Sequence, residues 1–375
     1  MPIPYGRQSL DDRDVQAVVD TLRGDWLTQG PAVAEFEQAF AAACDVPYAV
    51  AFSSGTAGLH AAAFAAGAGP GDELLTSALT FAASANCGAY LGATPTFADI
   101  ERDTWNVSGR TVAAALTERT RVVVPVHFAG LPAPVAEIRA AVGPDVAIVE
   151  DAAHAAGAWT PDGPVGACRH AEMAVFSFHP VKPITTAEGG MVTTRDATLR
   201  DRLAAFRSHG LSPAAELEDE PWLRRQHVLG FNYRLTDVQS ALGRSQLRRL
   251  DAFVERRNAI ARRYREALAD VDALELAPAA PHGSRHGYHL FVVRHREGAP
   301  ARRRLYDRLR ERGILCQVHY VPVYRHPWYA ETFGYEPGLC PEAERYYEGC
   351  LSLPCFPALT DADQDRVIAE LWEAV

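Results

Sequence analysis

Lysine is almost absent from this chain. Of the 37 basic residues in the 375-residue sequence, only Lys182 is a lysine, and the other 36 are arginines. An arginine stays protonated at any workable pH, whereas a lysine amine can be desolvated, lose its proton and attack a carbonyl carbon. Lys182 is therefore either an accident of composition on a solvated surface or the one position where the chain needs a nucleophilic amine.

Other absences exclude whole classes of protein. No window approaches 18 consecutive apolar residues, and the first residues do not combine a charged segment with an apolar run, so neither a membrane span nor a signal peptide is predicted. The seven cysteines form no CxxC pair, and the histidines form no HExxH motif, which argues against a disulfide framework and a metal site. A net charge of −10 disfavours binding to nucleic acid. We expect a cytoplasmic protein.

Short apolar runs alternate with helical patterns between residues 48 and 195, which is typical of an α/β fold with a mostly parallel sheet covered on both faces. The predicted strands are 48–52, 72–76, 121–128, 146–151, 171–179 and 189–195, and the last two are too close together to hold a helix between them. After a helix-rich stretch the pattern becomes a smaller α+β mixture. We predict a large domain over residues 1–250 and a small C-terminal domain over residues 251–375, with a long irregular segment at 211–234 that is a loop candidate for a site or an interface.

Residues that could bind an anion follow one of the predicted strands, and a residue that could bind a cation ends another. Ser54, Gly55 and Thr56 begin a helix, where free amides and hydroxyls can bind a phosphate, although the same sequence is also an ordinary helix N-cap. Asp151 ends a buried run, and its carboxylate needs a partner, which could be a helix start, an arginine or a protonated pyridine nitrogen. A lysine, a carboxylate for a ring nitrogen and a phosphate site together indicate pyridoxal phosphate.

Longer motifs surround these residues. They are WLTQGPAVAEFEQAF (26–40), SSGTAGLH, TFAASANC, VHFAG, EDAAHAAGA, FSFHPVKPITTAEGGMV, GFNYRLTDVQSALG, VHYVPVY and LSLPCFP. With these motifs the chain resembles the DegT/DnrJ/StrS family of sugar-nucleotide aminotransferases over nearly its whole length. The resemblance implies a pyridoxal 5′-phosphate-dependent transferase of fold type I, similar to aspartate aminotransferase, that works as a homodimer with shared active sites.

The resemblance also implies a role for each motif residue. Lys182 would hold the cofactor covalently and move a proton during the reaction, and Asp151 would pair with the pyridine nitrogen. The other implied cofactor residues are Phe81 against the ring, His154 near the phenolic oxygen, Ser54, Gly55, Thr56 and Ser177 at the phosphate, and Asn232 reaching the phosphate from the partner subunit. Motif position makes Thr28, His319 and Tyr320 candidates for substrate binding, and a buried strand end is the alternative for the last two. No arginine stands out as a carboxylate-binding residue.

The implied reaction transfers the amino group of L-glutamate to a nucleotide-linked 4-ketosugar. The wording of YGRQSL, WLTQGP and HPVKPITTAEGG is most similar to the branch of the family that aminates UDP-2-acetamido-2,6-dideoxy-β-L-arabino-hexos-4-ulose in pseudaminic acid biosynthesis. Two alternatives stay open at this point. One is an aminotransferase for another UDP- or dTDP-linked ketosugar, and the other is a non-enzymatic regulator with a vestigial cofactor pocket.

Overall fold

The computed structural model of the protein describes residues 2–211 and 222–375, so residues 212–221 of the predicted loop at 211–234 lie outside the described residues. The strands are β1 (Ile3–Pro4), β2 (Tyr48–Phe52), β3 (Glu73–Ser77), β4 (Thr94–Ala98), β5 (Thr120–Val124), β6 (Ala147–Asp151), β7 (Trp159–Thr160), β8 (Gly163–Pro164), β9 (Met173–Ser177), β10 (Gly190–Thr194), β11 (Leu274–Leu276), β12 (Phe291–His295), β13 (Ile314–Leu315) and β14 (Cys350–Leu353). The helices are α1 (Asp12–Arg23), α2 (Pro31–Ala43), α3 (Gly55–Ala65), α4 (Ala83–Ala89), α5 (Gly109–Ala115), α6 (Val135–Val142), α7 (Ala197–Arg207), α8 (Asp237–Leu247), α9 (Leu250–Ala267), α10 (Ala299–Glu311), α11 (Pro327–Phe333), α12 (Pro341–Gly349) and α13 (Asp361–Ala374).

The main sheet has seven strands in the order β2-β10-β9-β6-β5-β3-β4. All neighbouring pairs are parallel except those of β10, which runs antiparallel to both β2 and β9. This confirms the predicted mostly parallel sheet and its departure at 189–195. The sequence pattern missed β4, which contains Pro95. Because β4 is an edge strand, a missing backbone N–H is tolerated there.

Helix α3 is packed more closely on the sheet than an average helix. Seven of its 11 residues are glycine or alanine, and a Cβ placed on Gly58 would lie 3.0 Å from Val175 and 3.2 Å from Val192, on strands β9 and β10. Small residues permit this approach because no side chain separates the helix backbone from the sheet. The close packing brings the N-terminus of α3 to the edge of the sheet where Asp151 lies.

A three-stranded antiparallel sheet, β11-β12-β14, forms in the C-terminal part of the chain. Helix α9 joins the two parts, since Phe253 packs in a core with the main sheet and Ile260 packs in the core around β12. The division of the chain at residue 250 stays a prediction. The first strand crosses that division, because Ile3 and Pro4 pair in parallel with β13.

Two further observations concern membrane-spanning helices and the cysteines. No helix within residues 2–211 and 222–375 is long and apolar enough to cross a membrane. The seven cysteines are all buried free thiols.

Candidate active site

The candidate site residues meet at one edge of the main sheet. Strands β6 and β9 are parallel and end at Asp151 and Ser177, and β10 starts beside them, with Gly190 opposite both Phe52 and Ser177. The residues that follow β2 therefore reach the same edge. This is the edge at which open α/β sheets bind their ligands.

The start of α3 combines a helix cap with an anion site. Ser54 Oγ accepts a hydrogen bond from the Ala57 amide at 3.0 Å, so the capping interpretation is right. The amides of Gly55 and Thr56 nevertheless have no acceptor among the described residues, and helix N-termini attract anions. A Cβ on Gly55 would lie 2.9 Å from the Cβ of Ser177, which shows how close the two segments are.

Gly190 completes this cup. A Cβ at this position would lie 2.7 Å from the Gly55 amide nitrogen and in still closer contact with the Ser54 carbonyl oxygen. Only a glycine lets strand β10 approach the phosphate-binding turn so closely. The cup thus has glycines, free amides and serine hydroxyls around one point, which suits a phosphate.

Asp151 is buried and is held by two hydrogen bonds. Ser84 Oγ donates to Oδ2 at 2.6 Å, and the Ala153 amide donates to Oδ1 at 3.0 Å. Thr80 lies 2.7 Å from Ser84 Oγ, so its hydroxyl is the group left to donate to Ser84. No Lys, Arg or His side chain among the described residues is within ion-pair distance of Asp151. A buried carboxylate without an ion pair can accept a cationic ligand.

Lys182 follows β9 and is partly buried. Its backbone amide donates to the His179 carbonyl at 2.9 Å, which forms a turn above the end of the strand. Loss of solvent lowers the pKa of the Lys182 ammonium from 10.5 to about 8, although the Asp151 carboxylate acts in the opposite direction. A lysine on a fully solvated surface would keep its ordinary pKa, so the accident of composition is the weaker explanation.

His154 connects the main sheet to the C-terminal part of the chain. The Ala129 amide donates to Nδ1 at 3.3 Å, and burial, together with the charge of Lys182, lowers the pKa of the imidazole well below its ordinary value. The ring is therefore neutral with its proton on Nε2, which lies 3.2 Å from the Tyr320 hydroxyl and donates to it. The sequence interpretation placed both residues in the site but did not predict this contact.

Tyr320 belongs to a row of rings that we call the aromatic wall, formed by Tyr5, His319, Tyr320 and Phe81. Ring centroids are 5.1 Å apart for Tyr5 and His319, 4.9 Å for His319 and Tyr320, and 6.1 Å for Tyr320 and Phe81. Phe81 is 60% exposed, so a face of its ring is open to a ligand. His319 is buried and its Nδ1 lies 2.7 Å from Ser352 Oγ, while burial and Lys182 lower its pKa to about 3.

Sequence reasoning missed three residues of this region. Ser84 binds Asp151 from 67 positions earlier in the chain. His289 is buried, with its ring 4.4 Å from that of His154 and its Nδ1 without a partner. Tyr5 joins the aromatic wall from the opposite end of the sequence. No spacing pattern marks these residues, because each contact exists only after distant segments have packed together.

Two of the predicted residues have exposed side chains that do not contact this cluster through hydrogen bonds among the described residues. Thr28 is exposed and pairs through its backbone with Thr236, at the start of α8. Asn232 is also exposed and pairs with Ser208. Among the described residues, neither side chain forms a hydrogen bond to the residues around Lys182. Their predicted roles stay predictions.

The arrangement fits pyridoxal phosphate on its own geometry. A cup lined by the free amides of Gly55 and Thr56 suits the phosphate, and Asp151 is a buried acceptor with no basic partner among the described side chains. Phe81 offers an open aromatic face, and Lys182 supplies an amine whose pKa is close to neutral pH. No group of three or more His, Cys, Asp or Glu side chains in the described chain is placed to bind a metal ion.

Comparison with known proteins identifies a family of aminotransferases. Residues 8–372 match the model of the DegT/DnrJ/EryC1/StrS aminotransferase family. The chain is 38% identical to the spore coat polysaccharide biosynthesis protein SpsC of Bacillus subtilis, with 100% of this chain and 97% of that protein covered.

Two solved structures are similar over the whole fold. Helicobacter pylori PseC, an aminotransferase involved in the biosynthesis of pseudaminic acid, superposes with a TM-score of 0.91 at 30% identity, covering 100% of this chain and 99% of PseC. The PMP-form of the putative sugar aminotransferase Spr1654 of Streptococcus pneumoniae superposes with a TM-score of 0.92 at 27% identity, covering 99% and 98%. Members of the family depend on pyridoxal phosphate, so the alternative of a non-enzymatic regulator is set aside. The chain therefore belongs to the DegT/DnrJ/EryC1/StrS aminotransferase family and is a pyridoxal phosphate-dependent sugar aminotransferase.

Proposed function

We propose that this aminotransferase moves the amino group of L-glutamate to the keto carbon of a nucleotide-linked 4-ketosugar. The observation that carries the proposal is the position of Lys182, the only lysine of the chain, which is half-buried near Asp151 at the edge of the sheet that also holds the phosphate cup. The two relatives support a sugar substrate, since one is described as a polysaccharide biosynthesis protein and the other as acting in pseudaminic acid biosynthesis.

The geometry of the site supports a role for several residues in holding the cofactor. Gly55, Thr56 and Ser177 would bind the phosphate, Phe81 would stack on the ring, and the Asp151 carboxylate would accept a hydrogen bond from the protonated pyridine nitrogen. When bound, pyridoxal phosphate supplies the carbonyl that carries the amino group between substrates and the ring that absorbs electrons. The imidazole of His154 contacts the Tyr320 hydroxyl and stays neutral. It therefore acts as a hydrogen-bonding group and contributes no charge to the site.

Lys182 has two tasks in this scheme. As a neutral amine it would hold the cofactor covalently, and as a free amine it would act as the general base and acid that moves a proton between two carbons. Both tasks need an amine that is neutral part of the time at physiological pH, and a pKa of about 8 meets that need. Asp151 contributes a fixed negative charge that keeps a ring nitrogen protonated, because an opposite charge favours the cationic form.

Tyr320 is the substrate-side hydrogen-bond donor. Its oxygen accepts a hydrogen bond from His154 Nε2, and burial raises the pKa of the phenol, so the hydroxyl stays protonated and has its own hydrogen to donate. No other described residue accepts that hydrogen. A ketone or hydroxyl oxygen of the sugar is a suitable acceptor, and the neutral aromatic wall on either side suits a sugar ring.

The substrate that we favour is UDP-2-acetamido-2,6-dideoxy-β-L-arabino-hexos-4-ulose, which would give UDP-4-amino-4,6-dideoxy-N-acetyl-β-L-altrosamine. The similarity to PseC over the full length of both chains supports it. Another UDP- or dTDP-ketosugar is the alternative. The test incubates purified enzyme, pyridoxal phosphate and L-glutamate with a panel of both kinds of ketosugar, and identifies amino sugars by mass and 2-oxoglutarate by a coupled assay.

The outcomes of this panel test the specific substrate, the use of a sugar substrate and the cofactor chemistry separately. Amination of the UDP-linked 4-ketosugar supports the full proposal, and amination of another ketosugar alone corrects the substrate. Formation of 2-oxoglutarate without amination of any sugar would refute the sugar substrate while leaving the cofactor chemistry intact. The matched control is Lys182→Ala, which should produce neither product because no other lysine can replace the amine.

We also propose that the active unit is a homodimer in which Asn232 reaches the cofactor phosphate of the partner. Large apolar side chains are exposed on two segments, with Trp26 58%, Trp222 75% and Leu229 79% exposed, and such surfaces suit a contact between subunits. Asn232 lies beside the second segment. A partner subunit would explain the exposure of this asparagine side chain, which forms no hydrogen bond to the cluster among the described residues of the single chain.

A mixing experiment tests this shared site. Lys182→Ala and Asn232→Asp each inactivate the homodimer, the second by placing a carboxylate against the phosphate. After mixing and exchange of subunits, about a quarter of wild-type activity should return, because half of the dimers would hold one intact site. Mixed dimers shown by mass spectrometry to form without any recovery of activity would contradict a contribution in trans.

A further inference from the structure

A cavity of about 690 Å³ lies on the other face of the main sheet from the cofactor site. Side chains that follow one another along a strand project to opposite faces, which separates Glu150 from Asp151 at the end of β6. Asp151 contacts Ser84 of α4, whereas Glu150 lines the cavity with Pro134 and Cys168. None of the cofactor residues named above lines it in the described part of the chain. Small-molecule sites have volumes of roughly 300–1,000 Å³, so the cavity is large enough for a ligand.

The floor of this cavity carries a buried negative charge. Glu150 is 5% exposed, and its Oε2 lies 2.8 Å from His127 Nε2. His127 Nδ1 accepts a hydrogen bond from the Ala133 amide at 2.8 Å, so the ring proton is on Nε2 and the imidazole is neutral. The hydrogen bond therefore orients the Glu150 carboxylate without neutralising it.

The second oxygen of the Glu150 carboxylate has no partner in the protein. Among the described residues no donor reaches Oε1, and this atom is not one of the buried polar atoms that the protein encloses completely. Oε1 therefore opens into the cavity that Glu150 lines. A buried carboxylate requires a cation or a hydrogen-bond donor, and a ligand with a charged N–H group would supply both.

The other charged side chains of the cavity leave the floor without a cationic partner. Two arginines line it, and each already forms an ion pair with a carboxylate, Arg110 on one side and Arg169 on the other. At the margin, the carboxylates of Asp103 and Glu137 are exposed and form no ion pair with any described residue. The cavity therefore attracts cations and repels anions, which include both L-glutamate and a sugar nucleotide.

The walls between the floor and the margin are largely apolar. They contain short aliphatic side chains and proline rings, namely Leu131, Pro134, Val135, Pro164 and Val165. No group of three or more His, Cys, Asp or Glu side chains in residues 2–211 and 222–375 is placed to bind a metal ion. A cavity with one buried acceptor and apolar walls suits an organic cation, whose N–H groups reach the floor and whose carbon chain packs on the walls.

We infer that this cavity is a second binding site, which takes a small organic cation with an ammonium or guanidinium head on an aliphatic chain. Glu150 Oε1 accepts from the head, and His127 holds the carboxylate in position. The site lies outside the reaction at Lys182, so the inference does not depend on the sugar substrate. Its ligand differs in charge from both substrates of the proposed reaction.

The test titrates holoenzyme with n-butylguanidinium by calorimetry, and compares it with n-butylurea, an uncharged ligand of the same shape. Neither compound has a primary aliphatic amine that reacts with the cofactor, and in the holoenzyme the Asp151 carboxylate is already occupied. The variant is Glu150→Gln, which keeps an oxygen for His127 and removes the charge. The matched control is Glu118→Gln, at an exposed glutamate in the turn before β5.

Wild type and Glu118→Gln should bind n-butylguanidinium at least tenfold more tightly than n-butylurea, and Glu150→Gln should weaken the cation at least tenfold without weakening n-butylurea to the same extent. Val135→Phe narrows the cavity, keeps the charge and should also weaken the cation, which provides a second measurement if Glu150→Gln does not fold. Absence of binding to wild type, equal affinity for the two ligands, or unchanged affinity in folded Glu150→Gln or Val135→Phe would overturn the inference.

Discussion

The unusual acidity of Lys182 leads to a prediction about stability as well as chemistry. Its ammonium has a pKa of about 8 in the folded protein against 10.5 in an exposed lysine, so folding disfavours the charged form. Each pKa unit corresponds to about 1.4 kcal/mol, which gives an upper value near 3 kcal/mol, and partial solvent access reduces it to about 2 kcal/mol. At pH 7 the cofactor-free protein is less stable by this amount than it would be with an uncharged side chain.

The perturbation is Lys182→Met, which keeps the length of the side chain and removes the charge. We expect the cofactor-free variant to gain about 2 kcal/mol in the free energy of unfolding at pH 7, measured by urea denaturation. The sign follows from the lowered pKa. The penalty is complete below pH 8, decreases as the lysine of the folded state loses its proton, and vanishes above pH 10.5, where both states are neutral. Arg121→Met, at an exposed arginine on β5, is the control and should change stability by less than about 0.5 kcal/mol.

The same pKa can be measured directly because the chain has one lysine. Reductive methylation with carbon-13 gives a single side-chain resonance besides that of the α-amine, and its titration in the cofactor-free protein should have a midpoint near pH 8. At pH 7 this corresponds to about 300 times more neutral amine than at a pKa of 10.5. A midpoint near 10.5, or a methionine variant no more stable than wild type at pH 7, would refute the reasoning.

Three further changes test other parts of the site. Ser84→Ala removes the 2.6 Å hydrogen bond to Asp151 and should lower the free energy of unfolding by about 1–3 kcal/mol. The variant should also lose pyridoxal phosphate more readily on dialysis. Unchanged retention of the cofactor would show that Ser84 does not support the cofactor site. Gly130→Ala places a Cβ 2.8 Å from two backbone atoms at a φ of 100° and should reduce soluble, folded protein in thermal melts, whereas Gly334→Ala, in open space, should cost only about 1–2 kcal/mol. Tyr320→Phe should slow the ketosugar half-reaction about tenfold or more without lowering the melting temperature, and an equal rate would exclude its hydroxyl as a donor.

Much of the fold is readable in the sequence because buried parallel strands are short continuous apolar runs. Residues 122–124 and 147–149 have this pattern and lie in β5 and β6, and the small residues of α3 indicate a helix packed closely on the sheet. The prediction failed at β4, where Pro95 and alternating threonines resemble a loop. A strand at the edge of a sheet does not need every backbone donor, and that tolerance depends on the position of the strand in the sheet, which the local sequence does not contain.

The sequence by itself determined the chemistry of this protein, because the identity of a residue decides whether an amine, a carboxylate or a free helix amide is present at all. A single lysine, the order of the motifs and the family resemblance were enough to name the cofactor. Only the tertiary structure decided the contacts that set the properties of these groups. Ser84 with Asp151, His154 with Tyr320, and Tyr5 with His319 are 67, 166 and more than 300 positions apart, and no local preference encodes such pairs. The lowered pKa of Lys182 has the same origin, since desolvation depends on everything that packs around the amine.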